Sequence, residues 1–89
     1  MKARRLPSPE VSRMVTGYIL VKANTSEADR VNDAIADLDG VVQTNIVAGD
    51  VDFITKVTVD TPGAVKDIVA SGIQTIAGVE TTQTYIAME

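Results

Sequence analysis

The chain alternates between short runs rich in β-forming residues and longer stretches in which apolar residues recur at helical spacing. The runs at residues 15–23, 41–47, 53–59 and 79–88 are enriched in Val, Ile, Thr and Tyr and predict four strands. A stretch after the first run and another after the third place apolar side chains three or four positions apart, which predicts two helices. The predicted element order is therefore βαββαβ.

Both predicted helices carry signals at their ends. Ser26 is a good N-cap for the first helix, and Gly40 is expected at its C′ position. Thr61 can cap the second helix with Pro62 in its first position, and Gly72 is expected to interrupt its end.

The two halves of the chain resemble each other, which indicates an internal repeat. Residues 38–44 (LDGVVQT) and 76–82 (IAGVETT) share a helix exit, a glycine, a valine and a threonine. Right-handed crossovers in such a repeat place strands one and three at the centre of the sheet and strands two and four at its edges, with both helices on one face. The predicted fold class is α+β, a ferredoxin-like βαββαβ sandwich.

The sheet face opposite the helices is predicted to be partly apolar. Strand one places Tyr18 and Leu20 on one side and Ile19 and Val21 on the other. Strand three places Ile54 on one side and Phe53, Val57 and Val59 on the other, so neither side is fully polar. Two helices cover only one side, and an exposed apolar patch is normally hidden in a partner. We therefore expect a homodimer joined sheet to sheet, with a larger closed ring as an extension.

Composition narrows the function classes. The chain has 89 residues, enough for one domain, and contains no Cys and no His, which removes disulfides, thiol nucleophiles, His bases and the usual zinc ligands. No apolar run reaches the roughly 18–20 residues of a membrane span, and the prolines near the start break any signal-peptide core. A cytoplasmic location is expected.

Charge is distributed unevenly along the chain. Residues 1–14 carry Lys2, Arg4, Arg5 and Arg13 against Glu10, a net charge of +3, whereas residues 15–89 carry four basic and eleven acidic groups, a net charge of −7. Residues 1–14 are expected to be a flexible basic leader that could bind an anion, and residues 15–89 the folded domain. The acidic domain argues against direct binding to duplex DNA.

A short polar stretch between the second and third strands is the candidate site. Gly49 supplies backbone freedom for a tight hairpin turn, and Asp50 and Asp52, two apart in extended backbone, are expected to project to one side at the rim of the sheet. Three possibilities are open for this position: it binds a polar ligand, it binds an ion, or it binds nothing. Two carboxylates without His or further acids make a weak metal site, so neither a metal nor another cofactor is expected.

Two motifs resemble one family, the effector-binding module of the Lrp/AsnC transcription regulators, also called the RAM domain. Residues 49–56 (GDVDFITK) are similar to its G-D-[YF]-D followed by an apolar strand, and residues 78–86 (GVETTQTYI) to its G-V-x-x-T-x-T-x-[VI]. The resemblance covers residues 15–88. Val51 stands where an aromatic residue is common. Too few residues precede the first strand for the family's helix-turn-helix, so the chain resembles the stand-alone form.

The resemblance implies a regulatory module, not an enzyme, that binds an amino acid or similar small effector at a junction between dimers. It acts through its oligomeric state or through full-length Lrp/AsnC regulators. The alternatives are a structural adaptor that co-assembles with such regulators and an enzyme of the dimeric α+β barrel kind. The ligand-binding residues that the resemblance implies are Gly49, Asp50, Val51, Asp52, Thr82, Thr84 and Ile86.

Overall fold

The computed structural model describes residues 15–88, and the expected leader, residues 1–14, lies outside them. The predicted βαββαβ order is confirmed, with one added 3₁₀ turn before the last strand. The elements are β1 (Val15–Ala23), α1 (Ala28–Ala36), β2 (Val41–Ile46), β3 (Phe53–Val59), α2 (Pro62–Ser71), the 3₁₀ turn (Ile73–Thr75) and β4 (Val79–Ile86).

The four strands form one antiparallel sheet in the order β2-β3-β1-β4. The prediction that strands one and three lie at the centre is therefore confirmed. Along β1, Val15 pairs with Val59 at one end, and Val21 pairs with Phe53 near the other. The β2–β3 connection and the C-terminal end of β1 consequently lie at the same end of the sheet.

The core lies between the sheet and the two helices. Ile19 and Val21 from β1 and Phe53 from β3 are completely buried, as are Val31 of α1 and Val65 of α2. Burial of side chains of this size typically stabilises a fold by about 1.5–3 kcal/mol each. With a single Phe in the chain, this core is built mainly from Val and Ile.

Close approach of α2 to β1 requires a residue without a side chain. A Cβ on Gly17 would lie 2.9 Å from a methyl group of Val65 and 3.2 Å from one of Val57. The alternation of β1 therefore places Gly17 on the helix-covered face together with Ile19 and Val21.

The opposite face of the sheet carries exposed apolar side chains, as predicted. Tyr18 and Ile54 are each 39% exposed and Tyr85 is 52% exposed, while Leu20 is half-buried. Tyr18 pairs with Lys56 on one side and with Tyr85 on the other, so these residues share one surface. We call this surface the open face.

The start and end of α1 differ from the prediction. Ser26 does not cap the helix, because Glu27 occupies the N-cap position without a side-chain hydrogen bond. The hydroxyl of Thr25 instead accepts a hydrogen bond from the backbone N–H of Glu27 at 2.9 Å, in a turn that precedes the helix. Asp37 is the C-cap, so Gly40 does not occupy C′; with a φ of +94° it shapes the turn into β2.

The predicted signals of α2 are confirmed. The Thr61 hydroxyl accepts a hydrogen bond from Ala64 N–H at 3.1 Å, and Pro62 occupies the first turn. Gly72 is the C-cap and is followed by the 3₁₀ turn. Neither helix of the described residues is long and apolar enough to cross a membrane.

Candidate ligand-binding site

The β2–β3 connection is a six-residue loop, longer than the predicted tight turn. β2 ends at Ile46, one residue earlier than expected, and β3 begins at Phe53. The loop is closed by a hydrogen bond from the N–H of Val47 to the carbonyl of Asp52, at 2.9 Å. Residues 49–52 lie in bends, so the extended backbone on which the paired projection of the two aspartates was based is absent.

Asp52 ties this loop to the end of β1. One oxygen of its carboxylate accepts a hydrogen bond from the N–H of Ala23 at 2.8 Å, and its own N–H donates to the carbonyl of Val21 at 2.9 Å. Asp52 is half-buried. Its carboxylate therefore supports the sheet directly, a contribution of about 1.5–3 kcal/mol for a hydrogen bond to a charged group.

Asp50 occupies a different environment. Its side chain is exposed and makes no hydrogen bond or ion pair with another residue of the described part of the chain. The ammonium group of Lys22 reaches the backbone carbonyl of Asp50 at 3.5 Å. Gly49 is exposed, and an added Cβ would meet nothing within 4 Å, so packing does not demand a glycine there.

The three candidate residues of β4 lie on the helix-covered side of the edge strand. Thr82 pairs with Val21, Thr84 with Ile19 and Ile86 with Gly17, all of which face the core side. The two threonines therefore project to the same face of β4. The hydroxyl of Thr82 accepts a hydrogen bond from the Gln74 side-chain amide at 2.9 Å.

Within one chain, the seven candidate residues form two separate groups. β1 lies between the loop and β4, since Val21 pairs with Phe53 on one side and with Thr82 on the other. Thr84 and Ile86 lie progressively farther along β4 from the loop. Two surface cavities found among the described residues are lined by other side chains.

One of these cavities has a volume of about 200 Å³ and lies on the open face. It is lined by Tyr18, Gln43, Asn45, Ile54 and Lys56. The other, which we call the acidic cavity, has a volume of about 250 Å³ and lies where α2 begins. Its lining includes Asp39, Asp60 and Asp67 together with Val59, Ala64 and Ile68.

Sequence reasoning missed the acidic cavity and the supporting contacts of the loop. The strand order predicted from the sequence already placed the end of β1 beside the start of β3. From that order, the contacts of Lys22 and Ala23 with the loop could have been predicted. No comparable signal exists for Gln74, because its contact depends on the 3₁₀ turn. Residues 15–88 contain no group of three acidic side chains arranged to hold a metal ion.

The chemistry available at the loop is recognition of charge and hydrogen-bonding groups. Asp50 and the second oxygen of Asp52 can accept hydrogen bonds from an ammonium group, and Val51, which is half-buried, offers an apolar contact. On β4, the Thr84 hydroxyl is exposed and the Ile86 side chain is half-buried against the core. A ligand that contacts both the loop residues and the β4 residues must bridge two chains or cross the end of β1.

Known families and structures include close matches to this fold. The family model described as the Lrp/AsnC ligand binding domain matches residues 16–89. The TTHA0845 protein of Thermus thermophilus is 29% identical with a TM-score of 0.81, and the match covers 85% of this chain and 95% of that one. No curated protein matches.

Two longer regulators share the fold. AsnC of E. coli is 22% identical with a TM-score of 0.82, and the match covers 99% of this chain and 60% of AsnC. A transcriptional regulator of Neisseria meningitidis, solved as a complex with L-methionine, is 18% identical with a TM-score of 0.77, and the match covers 99% of this chain and 59% of the regulator.

Proposed function

The chain belongs to the family of Lrp/AsnC ligand-binding domains, and from this membership we propose that it is a regulatory module that binds an amino acid. The observation that carries the proposal is the family match, which extends over residues 16–89 and so includes almost every described residue. The complex of the Neisseria meningitidis regulator with L-methionine supports an amino acid as the class of ligand. The two motifs found in the sequence pointed to this same family.

The proposed binding site combines the β2–β3 loop of one chain with β4 of another. Asp50 and the free oxygen of Asp52 hold the ligand's ammonium group, loop N–H groups meet its carboxylate, and Thr84 of a second chain supplies a hydroxyl. Val51 and Ile86 border the ligand side chain and set specificity. An arrangement of this kind joins the two groups that β1 separates within one chain.

Assembly is therefore part of the proposed function. The apolar side chains of the open face provide the surface for a homodimer, and contacts between dimers complete the ligand site and extend the assembly to a ring. Ligand binding at such a junction favours the assembled state, because a ligand stabilises whichever state binds it. The module then acts on regulation through its oligomeric state or through contacts with full-length regulators.

A structural adaptor is the second candidate, and the open face favours it. Tyr18, Ile54 and Tyr85 would pair with the corresponding face of a related regulator without any ligand. The matched family consists of ligand-binding domains of regulators, and similar structures such as AsnC belong to regulators as well. We therefore propose no reaction for this chain.

A thermal-shift screen of the twenty amino acids distinguishes the two candidates. A ligand that binds only the native state stabilises it by about 2.7 kcal/mol at a concentration 100 times its Kd, so the melting temperature rises with concentration. We expect selective stabilisation by one amino acid or a few related ones, with L-methionine the first to be tested. If none stabilises the protein at millimolar concentration, the adaptor role replaces the sensor role.

Substitutions at the two aspartates then test the site itself. Asp52→Asn keeps an oxygen that can accept from Ala23 N–H but removes the charge, so we expect a loss of stability of about 1 kcal/mol and ligand binding weakened by about 1–3 kcal/mol. Asp52→Ala also loses the hydrogen bond to Ala23 and should lower the melting temperature. Asp50→Ala should weaken binding without changing stability.

Asp33→Ala is the matched control, since Asp33 is an exposed carboxylate on α1 whose side chain makes no hydrogen bond or ion pair among the described residues. Titration calorimetry with the best ligand gives the affinities. Parental affinity in both Asp50→Ala and Asp52→Asn would place the ligand elsewhere.

A further inference from the structure

The acidic cavity lies at the end of the sheet opposite the β2–β3 loop. Val59 ends β3 and Asp60 follows it, while the backbone carbonyl of Gly40 accepts a hydrogen bond from Thr58 N–H at 2.9 Å and holds the α1–β2 turn against β3. The first turn of α2 contributes Ala64. None of the seven candidate ligand residues lines the cavity, and the four in the loop lie at the other end of the sheet.

The floor of the cavity is apolar and closely built. A Cβ on Gly40 would lie 2.8 Å from the Cδ1 of Ile68 and 3.0 Å from the Cγ1 of Val59, so these groups are in tight contact. Ile68 and Ala64 remain half-buried. The cavity thus offers apolar surface that no described residue covers.

Its three carboxylates have no cationic partner within the described residues. Asp39, Asp60 and Asp67 are exposed, and between residues 15 and 88 the one ion pair joins Arg30 to Glu27 on α1. Three negative charges beside an apolar floor match an occupant that carries both arginines and apolar side chains.

The chain itself supplies such an occupant. We propose that the basic segment formed by residues 1–14 docks into the acidic cavity of its own chain. The segment joins β1 at Val15, and Val15 pairs with Val59, a residue of the cavity wall. At no more than about 3.6 Å per residue, the backbone connection keeps Arg13 within about 7 Å of Val15, which limits how far the basic segment can be from this wall.

Charge and composition of the segment fit this cavity. The segment has a net charge of +3 while the remainder of the chain has −7, so the long-range field attracts it to the domain. Arg13 is the basic residue of the segment nearest to Val15 in the chain, and the segment also contains the apolar residues Leu6 and Val11. Lys2, Arg4 and Arg5 supply the rest of its positive charge.

Paramagnetic relaxation measured on the full chain tests the docking. The chain has no Cys, so Ser8→Cys provides one attachment point for a nitroxide spin label. With methyl-labelled Ala and Ile, we expect the signals of the Ala64 methyl and the Ile68 δ1 methyl to lose most of their intensity. The δ1 methyl of Ile54, on the open face, should keep its intensity.

A tethered segment that does not dock also passes near the cavity, so the dependence on charge is decisive. Arg13→Glu, and separately the double change Asp60→Asn with Asp67→Asn, should restore the Ala64 and Ile68 signals. Salt at 1 M should do the same, because the screening length falls to about 3 Å. Lys22→Glu, which changes the net charge equally but at the other end of the sheet, should leave the signal loss unchanged.

Three results would overturn the proposal. The first is signal loss that survives Arg13→Glu and high salt, which indicates a segment that is tethered but not docked. The second is equal broadening of Ile54. The third comes from a mixture of two proteins, one methyl-labelled without nitroxide and the other carrying the nitroxide without methyl labels. Signal loss that appears only in this mixture would assign the segment to the cavity of a second copy.

Discussion

Thr55 is a completely buried polar side chain in the centre of the core side of the sheet. Its hydroxyl lies 2.9 Å from that of Thr44, and the Thr44 hydroxyl donates to the Asn32 side-chain oxygen at 3.0 Å. Because Thr44 uses its proton for Asn32, Thr55 must be the donor to Thr44. This chain of hydrogen bonds fixes β2 against both β3 and α1 and satisfies a group that would be costly to bury alone.

The direction of these hydrogen bonds predicts unequal effects for two isosteric substitutions. Thr44→Val leaves the fully buried Thr55 hydroxyl without its acceptor and should lower the free energy of unfolding by about 1–3 kcal/mol. Thr55→Val removes the buried hydroxyl itself and leaves only the half-buried Thr44, which keeps Asn32, so its cost should be smaller. Urea denaturation measures both, and a larger loss for Thr55→Val would contradict the assigned direction.

Asp52 shows why the role of a single residue is hard to derive from sequence. The motif identified Asp52 as a ligand residue, but its carboxylate also accepts from Ala23, 29 positions earlier in the chain. That contact depends on the register between β1 and β3 and on the bent path of the loop, neither of which hydrophobic pattern specifies. The position of the loop between β2 and β3 could be predicted, whereas the structural role of Asp52 within it could not.

The two helices differ in how their first turns are stabilised. In α2, Thr61 caps the helix and Pro62 presets its backbone, whereas the N-cap of α1, Glu27, makes no side-chain hydrogen bond. Both helices carried plausible capping signals in the sequence. The difference arises because Thr25 forms its own turn just before α1, so the helix begins one residue later than a Ser26 cap requires.

This difference predicts opposite results for two similar substitutions. Thr61→Ala should lower the free energy of unfolding by about 0.5–2 kcal/mol, the usual effect of losing a cap. Ser26→Ala should change it by less than about 0.5 kcal/mol, as is usual for an exposed position that does not cap a helix. Chemical denaturation of both variants checks this, and a substantial loss in Ser26→Ala would restore Ser26 as the cap.

Element order, strand order and the faces of β1 and β3 could all be predicted, because periodicity and crossover handedness act over long stretches. Element ends were less predictable. β4 stops at Ile86 instead of 88, and the connection after Ile46 is a loop instead of a tight turn. The acidic cavity could not be predicted, since it depends on the packing of three separate segments around Gly40.

The molecule as a whole presents one sheet face covered by helices and one without cover. Side chains on the open face, including Tyr18, Ile54 and Tyr85, retain between 39% and 52% exposure. Small domains bury a limited share of their surface, so association through this face would add substantially to stability. Folding and assembly are thus expected to be coupled.

Sedimentation at micromolar concentration should show a dimer or a larger species. Ile54→Asp, which places a charge at the centre of the proposed interface, should shift the protein toward monomer and lower its melting temperature. Ala70→Asp adds the same charge at an exposed position of α2 and should leave the sedimentation coefficient unchanged. A parent protein that remains monomeric at all concentrations would contradict the open-face dimer.

The positions of the aromatic residues also determine which part of this protein is observed by intrinsic fluorescence. The chain has no Trp and two tyrosines, Tyr18 and Tyr85, which are paired neighbours on the open face, while the core contains only Phe53. Tyrosine emission therefore originates entirely from the open face, and the interior contributes almost nothing at those wavelengths. A change in intrinsic fluorescence upon dilution would follow separation of subunits, even while the core of each remains intact.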